Sequence, residues 1–209
     1  MRLVLASNNA KKLRELQVLF SELPLKLVAQ GALQISEADE PHSTFVENAL
    51  AKARHAAQHA EGAAIADDSG LCVDALGGEP GVASAHYAAA VHDAGEREQL
   101  RARQDAANTA LLLQHMQEHA NRRARFVSTL VALRHASDPE PLIALGRWEL
   151  EVLREPRGSG GFGYDPVVLV PDHGLSVAEL PSAIKNAISH RALAARQMVA
   201  LMREVWHVE

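Results

Sequence analysis

Residues 158–166, Gly158-Ser159-Gly160-Gly161-Phe162-Gly163-Tyr164-Asp165-Pro166, combine four glycines with two aromatic rings. Glycine lets main-chain amides approach a phosphate with no Cβ in the way, and Phe162 or Tyr164 offers a flat face on which a base can stack. A nucleotide is one reading of this loop. The other is a strand-entry turn whose Phe162 and Tyr164 join the core. A second candidate lies at Ser7, Asn8, Asn9, Ala10, Lys11 and Lys12, between an apolar strand and the first helix, where amides and cations can converge on an anion or where Asn simply caps the helix. No Gly-x4-Gly-Lys-Ser/Thr phosphate loop occurs in the chain.

Asp67-Asp68-Ser69-Gly70 follows an apolar strand. Adjacent carboxylates on a strand point to opposite sides, so one of the two can face a ligand and the other takes a structural job. Near a triphosphate the facing one is a magnesium ligand or a general base; without one, the segment is an Asx-type turn. Glu37, Asp39 and Glu40, in the loop before the second helix, offer another carboxylate. Lys52 stands one turn after Asn48 on that helix, so both project from one face. Lys185, His190 and Arg191 cluster near the start of the final helix as donors for a phosphate or a base oxygen. A solvated helix face accounts for Lys185 and Arg191 equally well.

The elements that must position these groups follow from apolar spacing. Leu3-Val4-Leu5 is a short strand, and Leu13, Leu16 and Phe20 recur at helical spacing to Ser21. Leu25 to Val28 forms a second strand, followed by an acidic loop over 30–43. A helix starts at Thr44, whose Glu47 three residues on completes a capping-box signature, and Phe45, Ala49, Ala53 and Ala56 give it a face that can pack closely on a sheet. Ala63 to Ala66 and Leu71 to Ala75 read as two short strands. A polar helical pattern runs from Asp93 to about Glu118. Phe126 to Leu133 and Leu142 to Val152 form an antiparallel pair across Asp138-Pro139 that carries a second lobe. Val167 to Val170 is a strand, and one last helix runs from Ser182 with Ile184, Ile188, Ala192, Ala195 and Val199 on its apolar face. The expectation is mixed α/β with ligand-facing loops at strand ends.

With 209 residues, 47% hydrophobic and 22% charged, the chain has an ordinary globular composition and enough length for a full core. A net charge of −5 provides no general basic field for a nucleic-acid polymer. No apolar run reaches a membrane span, no signal sequence opens the chain, and the single cysteine, Cys72, excludes an intrachain disulfide, so a cytoplasmic protein is expected. Of 21 basic residues only five are Lys, and four of these, Lys11, Lys12, Lys52 and Lys185, fall in the segments above. A compact ammonium suits a phosphate. The i, i+4 pairs His55/His59 and His115/His119 lack a third ligand and read as surface histidines.

Taken in order, Ser7-x-Asn9-x-x-Lys12-x-x-Glu15, Thr44-Phe45-x-Glu47-Asn48-Ala49-x-x-Lys52-Ala53, Ala66-Asp67-Asp68-Ser69-Gly70-Leu71, Gly160-Gly161-Phe162-Gly163-Tyr164-Asp165-Pro166 and Ser189-His190-Arg191 resemble the inosine triphosphate pyrophosphatase family, also called the Ham1 family, in its bacterial form. The resemblance spans about residues 3–200. It implies a single domain over 1–209, with two lobes around a nucleotide-binding cleft, and a homodimer. It implies Mg2+-dependent hydrolysis of inosine and xanthosine triphosphates, ribo and deoxy, to monophosphate and pyrophosphate. Position by position, Ser7 to Lys12 match the family's phosphate-binding turn, Asp68 its catalytic and metal-binding carboxylate, and Glu40 its other metal-binding acid. Ser69, Phe162, Gly163, Tyr164, Asp165, Lys185, His190 and Arg191 match its substrate-binding positions, and Lys52 would help offset triphosphate charge. The segment Leu180-Pro181-Ser182-Ala183-Ile184 lacks the acidic character usual before the lysine. The alternatives are a related pyrophosphatase for modified pyrimidine triphosphates and a nucleotide-sensing module without turnover.

Overall fold

A computed structural model describes residues 1–90 and 97–209. The expected helix start at Asp93 lies outside the described residues; the helix described is Arg97–His115. The strands are β1 (Arg2–Leu5), β2 (Lys26–Ala29), β3 (Ala64–Val73), β4 (Arg123–Leu133), β5 (Leu142–Val152), β6 (Val168–Val170) and β7 (Leu175–Ser176). The α-helices are α1 (Ala10–Leu19), α2 (Phe45–Ala60), α3 (Arg97–His115), α4 (Ser182–Ile188) and α5 (His190–Trp206). The fold is mixed α/β, a central sheet flanked by helices.

The chain divides into two compact units, the first comprising 1–69, 128–147 and 186–209 and the second 70–127 and 148–185. In the first, the strand order is β2-β1-β3-β4-β5, with β1 parallel to both β2 and β3. The period-2 alternation of these strands sorts their side chains onto two apolar faces. Leu3, Leu5, Ile65 and Leu130 pack in one core with Leu16 and Phe20 of α1 and with Ala194, Ala195, Met198 and Met202 of α5. Val4, Ala64, Ala66, Val131 and Leu133 pack in another with Ala49, Ala53, Ala56 and Ala57 of α2. Those alanines are fully covered, the close helix-on-sheet contact that small residues permit. Thr44 caps α2 by accepting the Glu47 amide, but the Glu47 carboxylate takes the Thr44 hydroxyl at 2.5 Å, a variation on the expected box.

In the second unit the order is β3-β4-β5-β6-β7, with β5, β6 and β7 successively antiparallel. Its α3 is tied to the short 3-10 helix Gly81–His86 through Asn108, whose side chain donates to the Ser84 and Ala85 carbonyls and accepts the Ala88 amide at 2.8 Å.

Two expectations about elements need correction. The segments Ala63 to Ala66 and Leu71 to Ala75 are one ten-residue strand, β3, because Asp67, Asp68 and Ser69 all find side-chain partners without leaving extended backbone. The single final helix is two. Ser189 is extended (φ −66°, ψ 159°) and caps α5 by accepting the Ala192 amide, so the chain turns between Ile188 and His190 despite unbroken apolar spacing.

Gly146 of β5 shows how tightly α5 sits on the first unit's sheet. A Cβ there would collide with the carbonyl oxygen of His190 and lie 2.7 Å from the Ala194 nitrogen, both main-chain atoms. Gly146→Ala should therefore destabilise the protein by about 1–3 kcal/mol, the usual cost of overpacking a rigid contact. Urea unfolding at constant m reads this out, and a midpoint matching the parent would contradict it.

Candidate active site

The first unit gathers charge around the middle of β3. Asp67 faces the α1/α5 layer, where its carboxylate is fully buried. One oxygen, Oδ2, accepts from Arg191 Nε at 2.9 Å and pairs with Lys12 Nζ at 3.3 Å; the other accepts the Ser128 hydroxyl at 2.9 Å. Arg191 is itself buried, with Nη1 on Glu15 at 2.5 Å and Nη2 donating to Ser69 Oγ at 3.1 Å. Two carboxylates, Asp67 and Glu15, thus balance two cations, Lys12 and Arg191. Burial would raise Asp67, but Arg191 and Lys12 outweigh it and hold the carboxyl well below the usual range. Burial lowers the Lys12 ammonium, with Asp67 opposing and Arg191 assisting the shift.

Asp68 faces the α2 side. Its Oδ1 accepts from Lys52 Nζ at 2.7 Å, and the same ammonium reaches Glu40 at 2.9 Å and the Asp67 carbonyl at 3.3 Å. Its other oxygen, Oδ2, is buried and has no hydrogen-bond partner. Burial pushes Asp68 up to about 6, Lys52 opposing and the neighbouring Glu40 carboxyl adding to the rise. Lys52 is raised, because Asp68 and Glu40 together outweigh its burial. Burial pushes Glu40 up, but Lys52 outweighs it and the carboxyl ends below its ordinary value.

Two carboxylates around one ammonium leave a net negative charge, and a buried carboxylate oxygen without a partner is an unmet demand for a cation. Among the described residues no group of three or more His, Cys, Asp or Glu side chains could hold a metal ion by itself. Asp68 with Glu40, whose side chain is 47% exposed, is nonetheless the donor set that suits magnesium, an ion that takes one or two carboxylates and completes its shell with phosphate and water.

The turn before α1 is more fully capped than an open anion site would be. Asn9 Oδ1 accepts the amides of Lys11 (3.0 Å) and Lys12 (3.2 Å), Ser7 Oγ accepts the Asn9 amide, and Asn8 Nδ2 donates to Glu37. The cationic side chain of Lys12, not those two amides, is what this turn brings to the carboxylates. Asn48, expected to project with Lys52 toward a ligand, instead clips the main chain of His42 from both sides at 3.0 and 3.1 Å, which fixes the loop carrying Glu40. His190 is buried in the first turn of α5.

The second unit holds the glycine-rich loop. Phe162 is half-buried, and Lys185 Nζ lies 4.9 Å from its ring centroid. The Asp165 carboxylate accepts the Phe162 amide at 2.9 Å and pairs with Lys185 at 2.7 Å, and a Cβ at Gly161 would overlap it. Tyr164 does not present a face: it is buried and its hydroxyl donates to the Ser84 carbonyl at 2.9 Å. The structure therefore groups Lys12, Lys52, Asp68, Ser69, Arg191 and Glu40 in the first unit and Phe162, Gly163, Asp165 and Lys185 in the second. Sequence reasoning missed Ser128 and gave Glu15 no role. The signal for Ser128 was a hydroxyl in the middle of a mainly apolar strand segment, and for Glu15 a carboxylate one helical turn after Lys12.

Carboxylates flanked by lysines beside an α/β sheet have the charges that suit a phosphate together with a cation. The chain belongs to the Ham1 family, whose model matches residues 3–201. It is 68% identical over 206 residues to the dITP/XTP pyrophosphatase of Methylibium petroleiphilum, covering 99% of each chain, and 64% identical over 211 residues to that of Leptothrix cholodnii, covering 100% of each. A HAM1 protein from Coxiella burnetii has the same fold, with a TM-score of 0.86 and 41% identity over 98% of this chain and 100% of that one. Among the described residues no helix is long and apolar enough to cross a membrane.

The raised Asp68 gives a pH test. A cation needs the ionised carboxylate, so below about 6 magnesium affinity should fall about tenfold per pH unit and above it level off. Calorimetric titration of the nucleotide-free protein with Mg2+ from pH 5 to 8 measures this; a flat profile would refute the assignment.

Proposed function

We propose that this enzyme hydrolyses inosine and xanthosine triphosphates, ribo and deoxy, to the monophosphate and pyrophosphate. The observation that carries the reading is the Asp68 carboxylate, buried, raised toward neutrality and left with one unpartnered oxygen between Lys52 and Glu40. The substrate class comes from the relatives described as dITP/XTP pyrophosphatases.

Asp68 and Glu40 would hold Mg2+, which would supply positive charge to neutralise the triphosphate. Lys12 and Lys52 offset the remaining charge of the triphosphate. Asp68 orients a water and accepts its proton as the oxygen attacks the α-phosphorus in line; the bond to the β-phosphate oxygen breaks and pyrophosphate leaves. Arg191 acts through Asp67 and Ser69 in this arrangement, keeping Lys12 and the strand in place. For the base, Phe162 offers a stacking face and Lys185 a donor for the oxygen at position 6 of a deaminated purine. Adenine puts an amino donor there, and such a mismatch costs about 10⁴-fold in discrimination.

Asp68→Asn should lower kcat by about 10²–10⁴-fold, the range of a lost general base, with nucleotide affinity within a few fold. Near-normal turnover would remove Asp68 from the chemistry. Pyrophosphate release from dITP, XTP, dGTP, ATP and UTP tests the substrate class: dITP and XTP should exceed the others, and UTP in first place would favour a pyrimidine enzyme.

The resemblance to the family also supports a homodimer, and Ile143 and Leu145 on β5 provide exposed apolar surface. Light scattering should give a mass near twice 22.6 kDa; a monomer at assay concentration would count against it.

A further inference from the structure

Three successive residues of the glycine-rich loop are each tied down by a different hydrogen bond. The Phe162 amide goes to Asp165, and the Tyr164 hydroxyl goes to the Ser84 carbonyl, which also receives Asn108 of α3. Between them the Gly163 amide donates at 2.9 Å to Oδ2 of Asp105, 58 residues away on α3. Asp105 and Asn108 are three residues apart and so share a helix face. That one face of α3 therefore governs two adjacent loop residues, Gly163 directly and Tyr164 through Ser84.

Gly163 is where such a restraint matters. Its φ is +60°, and a Cβ there would meet nothing within 4 Å, so the glycine serves backbone shape and not space. The left-handed residue separates the two aromatic positions: Tyr164 goes into the core and Phe162 stays half-buried. Glycine also has the most conformational freedom to lose, so this bend is a weak point of the loop unless something outside it holds the amide. A carboxylate acceptor does so with a charge-assisted bond, stronger than a neutral one.

We infer that Asp105 is a positioning residue for the nucleotide base: through the Gly163 amide it fixes the bend that presents the Phe162 ring, without touching the nucleotide itself. The inference rests on the reading of Phe162 as the stacking face. A loop held in its binding shape before the ligand arrives saves the ordering cost on binding. Because the base is remote from the reacting phosphorus, that saving is equal in the bound ground state and the transition state, so it belongs in KM and not in kcat.

The test uses the full-length enzyme with dITP and Mg2+. Asp105→Ala should raise KM about tenfold, the order expected for one charge-assisted hydrogen bond, with kcat within about twofold. Asp105→Asn keeps an acceptor oxygen for the Gly163 amide and should return KM to within about twofold of the parent. Hydrogen exchange at the Gly163 amide should be accelerated about tenfold by the alanine and little by the asparagine, a readout independent of turnover. Phe162→Ala separates the two layers of the argument. If it raises KM while Asp105→Ala does not, the positioning role is overturned and the stacking face stands. If it leaves KM unchanged, the stacking face fails and the inference with it. An asparagine variant as impaired as the alanine would show that the charge matters and not the amide bond, which also overturns the proposal.

Discussion

The first unit is organised around one constraint: two adjacent aspartates on an extended strand cannot share an environment. Asp67 is turned into the layer where α1 and α5 meet the sheet, and it survives there only because Arg191, Lys12 and Ser128 surround it. Removing one partner of such a cluster leaves a buried charge uncompensated, at a cost of about 3–5 kcal/mol. Asp68, one residue on, is turned toward α2, where two carboxylates share one ammonium and an oxygen is left over. Saturation on one face is what lets the neighbour stay unsaturated on the other. The strand is pinned by the first carboxylate, so the second has a fixed address.

The same logic explains why the cations are fixed by more than their salt bridges. Both Lys12 and Lys52 also reach the carbonyl oxygen of Asp67, at 3.5 and 3.3 Å, so a lysine from each helix layer meets one main-chain atom of β3. Neither ammonium can follow a flexible side chain away from the strand without giving up a contact to backbone. Small residues make this reach short enough. The alanine face of α2 lies against β3, the strand that carries Asp68, and Gly146 admits the main chain of α5 at the turn that carries Arg191.

Much of this was legible in the sequence, and the portion that was not has physical causes. The alternation of Asp67 and Asp68 follows from strand geometry alone, and the alanine stripe of α2 follows from helical spacing. What failed were judgements about whether a polar group is used up locally. Asn9 was read as either a cap or part of an anion site, and it caps; Asn48 was grouped with Lys52 by helical spacing, yet its amide is consumed by the main chain of His42. Spacing says which side chains share a face, but it cannot say which of them has already found a partner from a loop. Arg191 is the clearest case. It was read, with Lys185 and His190, as a donor for a phosphate or a base oxygen or else as part of a solvated helix face; the extended Ser189 starts a new helix there, and the guanidinium is buried among Asp67, Glu15 and Ser69.

The glycine-rich loop shows the same limit from the other direction. Its composition suits a nucleotide because glycine exposes amides, but at least two of those amides, at Phe162 and Gly163, are met by carboxylates of the chain itself. An amide that donates to an aspartate holds its loop; it does not cradle a phosphate. The glycines therefore contribute through the left-handed bends at Gly158, Gly161 and Gly163 and through the close approach of Gly160 to the Ala178 carbonyl, which together fold the loop onto its own unit. Beside these bends stands the half-buried ring of Phe162 with the Lys185 ammonium 4.9 Å from its centroid, an aromatic face and a cation whose chemistry suits a base better than its phosphates.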